Sequence, residues 1–154
     1  MKKYIVSNYM NPKAITLNKD STFRDAVELM LKKHTNGIVI IDNENKVAGI
    51  LSSWDLIQYL VPDYLEEDKH LASFETGDTF STRIDELEND SIMNFASKKV
   101  HTIKKTHSIM EAAALLSEFH IRQLPVVDDE NKLIGYLNRT DVKKAIGDVL
   151  KIKY

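Results

Sequence analysis

The sequence predicts an α/β (α+β) fold, two pseudo-symmetric βαββα repeats packed through their sheets, and three observations carry that expectation. Residues 10–56, slid by 86 onto 96–142, align without a gap and leave 13 identities in 47 positions. They are Lys13, Thr16, Lys19, Ala26, Leu29, His34, Asp42, Glu44, Asn45, Lys46, Gly49, Leu51 and Asp55. Strand-like and helix-like apolar spacings recur in the same order in both copies. Finally, Gly49-Ile50-Leu51-Ser52-Ser53-Trp54-Asp55 returns as Gly135-Tyr136-Leu137-Asn138-Arg139-Thr140-Asp141, each an apolar run feeding directly into a helix. One unit of about 50 residues is too small to bury both faces of its sheet, whereas two packed face to face share a core. The division is 5–61 for the first repeat, 62–91 for an acidic, partly helical insert, and 92–147 for the second repeat.

Each copy opens on a short β-rich segment, Ala14 to Leu17 or Val100 to Ile103. Thr22-Phe23-Arg24-Asp25 and Ser108-Ile109-Met110-Glu111 then read as capping boxes. Behind them Phe23, Ala26, Val27, Met30 and Leu31, or Ile109, Ala112, Ala113 and Leu116, share one helical face. These helices end near His34 and His120, where an imidazole is a favourable partner for the helix dipole; a metal role is the weaker reading. Two apolar runs follow, joined by the polar hairpins Asp42 to Lys46 and Asp128 to Lys132. A last helix closes each copy, from Ser53 to about Leu60 and from Arg139 to about Ile146. In the insert, Phe80 to Glu88 is the best helix candidate, and its apolar residues are too many for a flexible linker.

The net charge of −2 conceals an asymmetry. Residues 62–91 hold ten acids against Lys69 and Arg83, a local −8, so the remainder is +6. A basic body suits a phosphorylated small ligand, but it lacks the Lys/Arg stripe with interleaved aromatics that nucleic-acid binding uses. No run approaches the roughly 18 apolar residues of a membrane span, and Met1-Lys2-Lys3 is not followed by a signal-peptide core. The chain therefore reads as cytoplasmic. It has no cysteine, which excludes disulfides, thiolate metal sites and cysteine nucleophiles. No acid–base pair, HExxH, GxSxG or GxxxxGK[ST] motif is present, so a non-enzyme is expected.

The chemistry concentrates at the two strand-to-helix junctions. Ser52 and Asn138 suit the N-cap, with Asp55 and Asp141 at N3, and a helix start with spare N–H donors can also hold a phosphate. Capping alone is a sufficient reason for both aspartates. Trp54, inside the first junction, could cover a ligand or pack.

With the duplication, the βαββα order and the Gly-h-h-[Ser/Thr]-x-x-Asp ending in hand, the chain resembles a tandem pair of CBS domains, the Bateman module named after cystathionine β-synthase. His120-Ile121-Arg122-Gln123-Leu124-Pro125-Val126-Val127-Asp128 carries the likeness together with the first motif. The resemblance implies adenosine-containing ligands in clefts between the repeats. Asp55 and Asp141 would take ribose hydroxyls and Ser52 phosphate, with adenine against the early strands at Thr16 or Thr102. Asn138 departs from the usual Ser/Thr, and Arg122 and Arg139, which have no basic counterpart in the first copy, could supply phosphate contacts in compensation. The expected ligand is AMP, ADP or ATP, with S-adenosylmethionine, NAD or cyclic di-AMP as further candidates and no cofactor or metal required. The family further implies a stand-alone regulatory module that pairs as a homodimer and signals to a protein partner. The alternative is a constitutive dimerisation or scaffold module with empty clefts.

Overall fold

The computed structural model describes residues 4–119 and 121–154; His120, expected at a helix end, lies outside them. The first repeat runs β1 (Thr16–Asn18), α1 (Phe23–Lys33), β2 (Gly37–Ile41), β3 (Val47–Ser52), α2 (Ser53–Leu60). The insert follows as α3 (Asp63–Glu67), a 3-10 turn (Lys69–Phe74) and α4 (Gly77–Leu87). The second repeat runs β4 (Ile103–Lys104), α5 (Ile109–Glu118), β5 (Gln123–Val127), β6 (Leu133–Asn138), α6 (Arg139–Val149). Each repeat builds a three-stranded sheet, β1-β2-β3 and β4-β5-β6, with the first pair parallel and the second antiparallel. Both sheets carry a register shift at the same place, Ile40/Ile41 and Val126/Val127.

The hairpins explain why their residues recur. Asn45 and Asn131 both sit at φ 62, where asparagine is tolerated better than most side chains. Asp42 Oδ1 accepts from the backbone N–H of Glu44 (2.8 Å) and Lys46 (3.0 Å), and Asp128 Oδ1 repeats this with Glu130 and Lys132, both at 2.9 Å. These bonds, that to Lys46 foremost, hold the Asp42 carboxyl below its ordinary pKa.

Strand alternation then fixes the layers. Ile38, Ile40 and Leu51 point to α1 and α2 in one core, and Leu124, Val126 and Leu137 to α5 and α6 in another. Val39 and Pro125 face the opposite way and are also fully buried; the other sheet is what covers them. The hairpins meet along this seam, where the Leu133 N–H donates to the Asn45 carbonyl at 2.9 Å and Asn45 Nδ2 to the Leu133 carbonyl at 3.1 Å.

The leading segments of the two repeats are exchanged. Ile5 and Asn11 bridge Ser108 and Tyr136 of the second repeat, while Ser91 and Ser97 bridge Thr22 and Ile50 of the first. Every one of these positions is 86 residues from its counterpart. Val6 and Ile92, both fully buried, anchor the segments in the core of the opposite repeat. The first strands are shorter than expected: paired register begins at Thr16 and Ile103 rather than at Ala14 and Val100, although the Ile15 carbonyl already accepts from the Val39 N–H at 2.9 Å.

Two local expectations differ from the structure. At α5 only half a capping box forms: Ser108 Oγ accepts from the Glu111 N–H at 3.1 Å, but Glu111 Oε1 lies 3.0 Å from His107 Nδ1 instead of turning back to the cap. In the insert, α4 starts three residues earlier than expected because Thr76 caps it through the Thr79 N–H. The insert is tied down by Arg83, whose guanidinium donates to the carbonyls of Tyr59 (3.2 Å) and Leu60 (3.1 Å) at the end of α2. Arg24 and Glu88 add an ion pair at 2.9 Å.

Candidate functional site

The glycine of each junction has a packing reason. A Cβ on Gly135 would fall on the carbonyl oxygen of Asn11, and one on Gly49 would lie 3.1 Å from that of Ser97. The exchanged segments pass so close that no larger residue fits without a shift. Each strand then reaches its cap two residues after the crossing contact at Ile50 or Tyr136.

At the first junction Asp55 Oδ2 accepts from the Ser52 N–H at 2.7 Å and from Ser52 Oγ at 2.9 Å, and the Asp55 N–H donates back to Ser52 Oγ at 3.2 Å. At the second, Asp141 Oδ2 accepts from the Asn138 N–H and Asn138 Oδ1 from the Asp141 N–H, both at 3.0 Å. Asn138 thus replaces serine without loss of the cap. The junctions differ in what remains. Asp55 is half-buried and among the described residues its Oδ1 has no hydrogen bond; Asp141 is 5% exposed and its Oδ1 lies 3.3 Å from Lys144 Nζ. Gln58 stands where Lys144 does in the first copy.

The remaining candidates fall around the same ends of the sheets. Ser52 pairs with Gly37 across β2 and Thr16 pairs with Val39, so Thr16 sits two strands away, about 10 Å, and two residues deeper. Thr16 is half-buried, while Thr102, its counterpart just before β4, is exposed. Arg122 is exposed immediately before β5. Arg139 turns its Nε to the Ile121 carbonyl at 3.2 Å, which ties the start of α6 to that same loop. The two ends approach each other at the seam, since a Cβ on Gly37 would lie 2.9 Å from Gln123 Oε1. Trp54 is 69% exposed and does not pack into the core.

Sequence reasoning missed a stacked pair in the second repeat. His101, just before β4, lies 3.6 Å from the Phe119 ring, centroid to centroid, at 13°. Its counterparts Ile15 and Lys33 form no aromatic pair, so the duplication gave no signal for it. A further hollow of about 550 Å³ lies away from both aspartates, between α1, α2 and α4, with Val27, Leu31, Ile57 and Ile84 in its wall. Among the described residues no group of three metal-ligating side chains assembles, and no helix is long and apolar enough to cross a membrane.

The family model for the CBS domain matches twice, at residues 6–62 and 92–148. A CBS domain-containing protein of Arabidopsis thaliana, CBSX2, is 28% identical over 150 residues, covering 92% of this chain and 63% of its own length. Homoserine O-acetyltransferase of Methanococcus vannielii is 28% identical over 142 residues, covering 92% of this chain but 25% of its own length. The chain therefore spans about a quarter and rather under two thirds of these relatives. A crystal structure of CBSX2 in complex with AMP superposes with a TM-score of 0.73 at 26% identity, covering 96% of this chain and 98% of that one.

Proposed function

Because the chain belongs to the CBS domain family, its two matched segments forming a CBS pair, we propose that it is a regulatory module that binds an adenosine-containing nucleotide, AMP foremost, between its repeats. The repeats are residues 5–61 and 92–147, with 62–91 as the element between them. The observation that carries the reading is the uncommitted Oδ1 of Asp55, held by its cap at the end of β3 beside the seam. A carboxylate oxygen so placed accepts a ribose hydroxyl without disturbing the cap. Ser52 and the N-terminus of α2 offer donors for phosphate, Thr16 and Thr102 stand by the adenine, and Arg122, Asn138, Arg139 and Asp141 form the second, unequal cleft. The AMP complex of CBSX2 supports this choice of ligand.

The module acts by binding rather than catalysis, in the cytoplasm, and needs no cofactor or metal. Bound nucleotide favours one arrangement of the repeats by as much as its affinity differs between states, and a protein partner reads the change. Two copies pair as a homodimer. Thermal unfolding against AMP, ADP, ATP, S-adenosylmethionine, NAD and cyclic di-AMP tests the reading. A ligand at 100 times its dissociation constant adds about 2.7 kcal/mol. A flat response to the whole panel would instead favour a constitutive scaffold.

A further inference from the structure

The insert carries an apolar stripe that runs off the body of the molecule. On α4, Phe80, Ile84 and Leu87 follow one another at helical spacing and share one face. Leu87, at 4% exposure, belongs to the core of the first repeat and Ile84 packs against that core, but Phe80 at the other end of the stripe is 60% exposed. Phe74, two residues before the Thr76 cap of α4, is 80% exposed, and Tyr64 and Leu71 are exposed as well. Arg83 holds this platform to the end of α2. Tyr64 OH donates to Glu75 Oε1 at 2.6 Å, which ties α3 to the segment leading into α4. The charge around these rings is of one sign, since residues 63–80 hold six acids against Lys69.

We propose that this surface docks a basic, amphipathic helix of a partner protein, with apolar residues against Phe74 and Phe80 and lysines or arginines toward the surrounding acids. It gives a surface to the protein partner of the regulatory reading above and rests on that reading. Exposed apolar patches with a polar rim mark sites of association, and aromatic side chains within them carry much of the binding energy. The sign of the rim selects the occupant. It repels nucleic acid and anionic membranes, while an uncharged apolar helix would strip water from carboxylates without pairing them. A cationic helix with one apolar face answers both, and the side-chain ridge of α4 suits a second helix packed against it.

The probe is a labelled peptide of about 18 residues, lysines on one helical face and leucines on the other. Fluorescence anisotropy should show saturable binding to the full chain, weakened by high salt. Phe74→Ser with Phe80→Ser should weaken binding about tenfold, and Glu66→Gln with Glu67→Gln should weaken it and flatten its salt dependence. All four side chains are on exposed residues, so both variants should melt like the wild type, with and without AMP. Absence of binding overturns the proposal. So does equal affinity for the doubly serine-substituted chain, or for a peptide of the same composition in scrambled order, because charge alone would then hold the peptide. Self-association of the chain that requires Phe74 and Phe80 would assign the patch to a second copy and overturn the proposal likewise. The nucleotide reading fails on a separate measurement, a flat thermal response to the ligand panel.

Discussion

Lys144 Nζ rests 3.3 Å from Oδ1 of Asp141, the oxygen of that carboxylate which the helix cap leaves over. In the first repeat Gln58 occupies the matching position, and among the described residues the corresponding oxygen of Asp55 meets no such cation. In the proposed complex a nucleotide would have to displace an ammonium to reach Asp141 but not to reach Asp55.

Asp55→Asn keeps an acceptor for the cap while removing the charge offered to a ribose. It should weaken AMP binding by about 1.5–3 kcal/mol, the worth of a hydrogen bond to a charged group. Asp141→Asn should cost less than half of that. Titration calorimetry of both variants reads the difference, and equal affinities to the wild type would remove the aspartates from the site.

Lys144→Gln copies the first repeat into the second. The lysine of this i,i+3 pair is half-exposed and its carboxylate buried; at the about 0.3–0.5 kcal/mol of a helical ion pair, binding at the second cleft should strengthen about twofold. Competition with the Asp55→Asn background isolates that cleft.

Gly135→Ala places a methyl on the Asn11 carbonyl, a backbone atom that cannot turn aside. Overpacking of this kind should cost about 1–3 kcal/mol in urea unfolding. Gly49→Ala, with its nearest neighbour at 3.1 Å, should cost less.

Burial, and then the hydrogen bond from its hydroxyl to Asp90 Oδ2 at 2.8 Å, raises the Tyr59 pKa above its ordinary value. The folded state holds this proton more tightly than the unfolded one. Its contribution is therefore complete below the ordinary tyrosine value of about 10 and is lost as pH rises through the higher folded value. Tyr59→Phe should cost about 0.5–1.5 kcal/mol at neutral pH and flatten the alkaline fall in stability, followed by unfolding at a series of pH values.

Arg83 closes the carbonyl end of α2 from within the insert. Arg83→Met should speed hydrogen exchange of residues 77–87 well beyond that of α5 and α6. Uniform exchange rates across the chain would separate the insert from this contact.

The pairwise architecture was legible because duplication writes each local instruction twice. Capping at Thr22, Ser52 and Asn138, the Asn45 and Asn131 turns and the two junction glycines all depend on neighbours close in sequence, or on room for one atom. The exchange of leading segments was not legible. Ile5 and Ser91, or Asn11 and Ser97, contribute backbone groups to the bridge, and side-chain identity leaves no trace of that. Only Val6 and Ile92, apolar and 86 apart, could have hinted at it. Likewise Glu111 satisfies the capping-box pattern, yet His107, one residue ahead of the cap, competes for its carboxylate. The inequality of the two carboxylates rests on Lys144, whose side chain could equally have run into solvent.

A polypeptide with one repeat would hold out a leader with no neighbour to receive it and keep an open edge where a leader should lie. Two such half-length chains would complete each other, at a rate limited by how often they met. Joining them end to end converts that encounter into a unimolecular event at high effective concentration. It also means that neither half can loosen without withdrawing a piece of the other, so a disturbance at either end is felt by both.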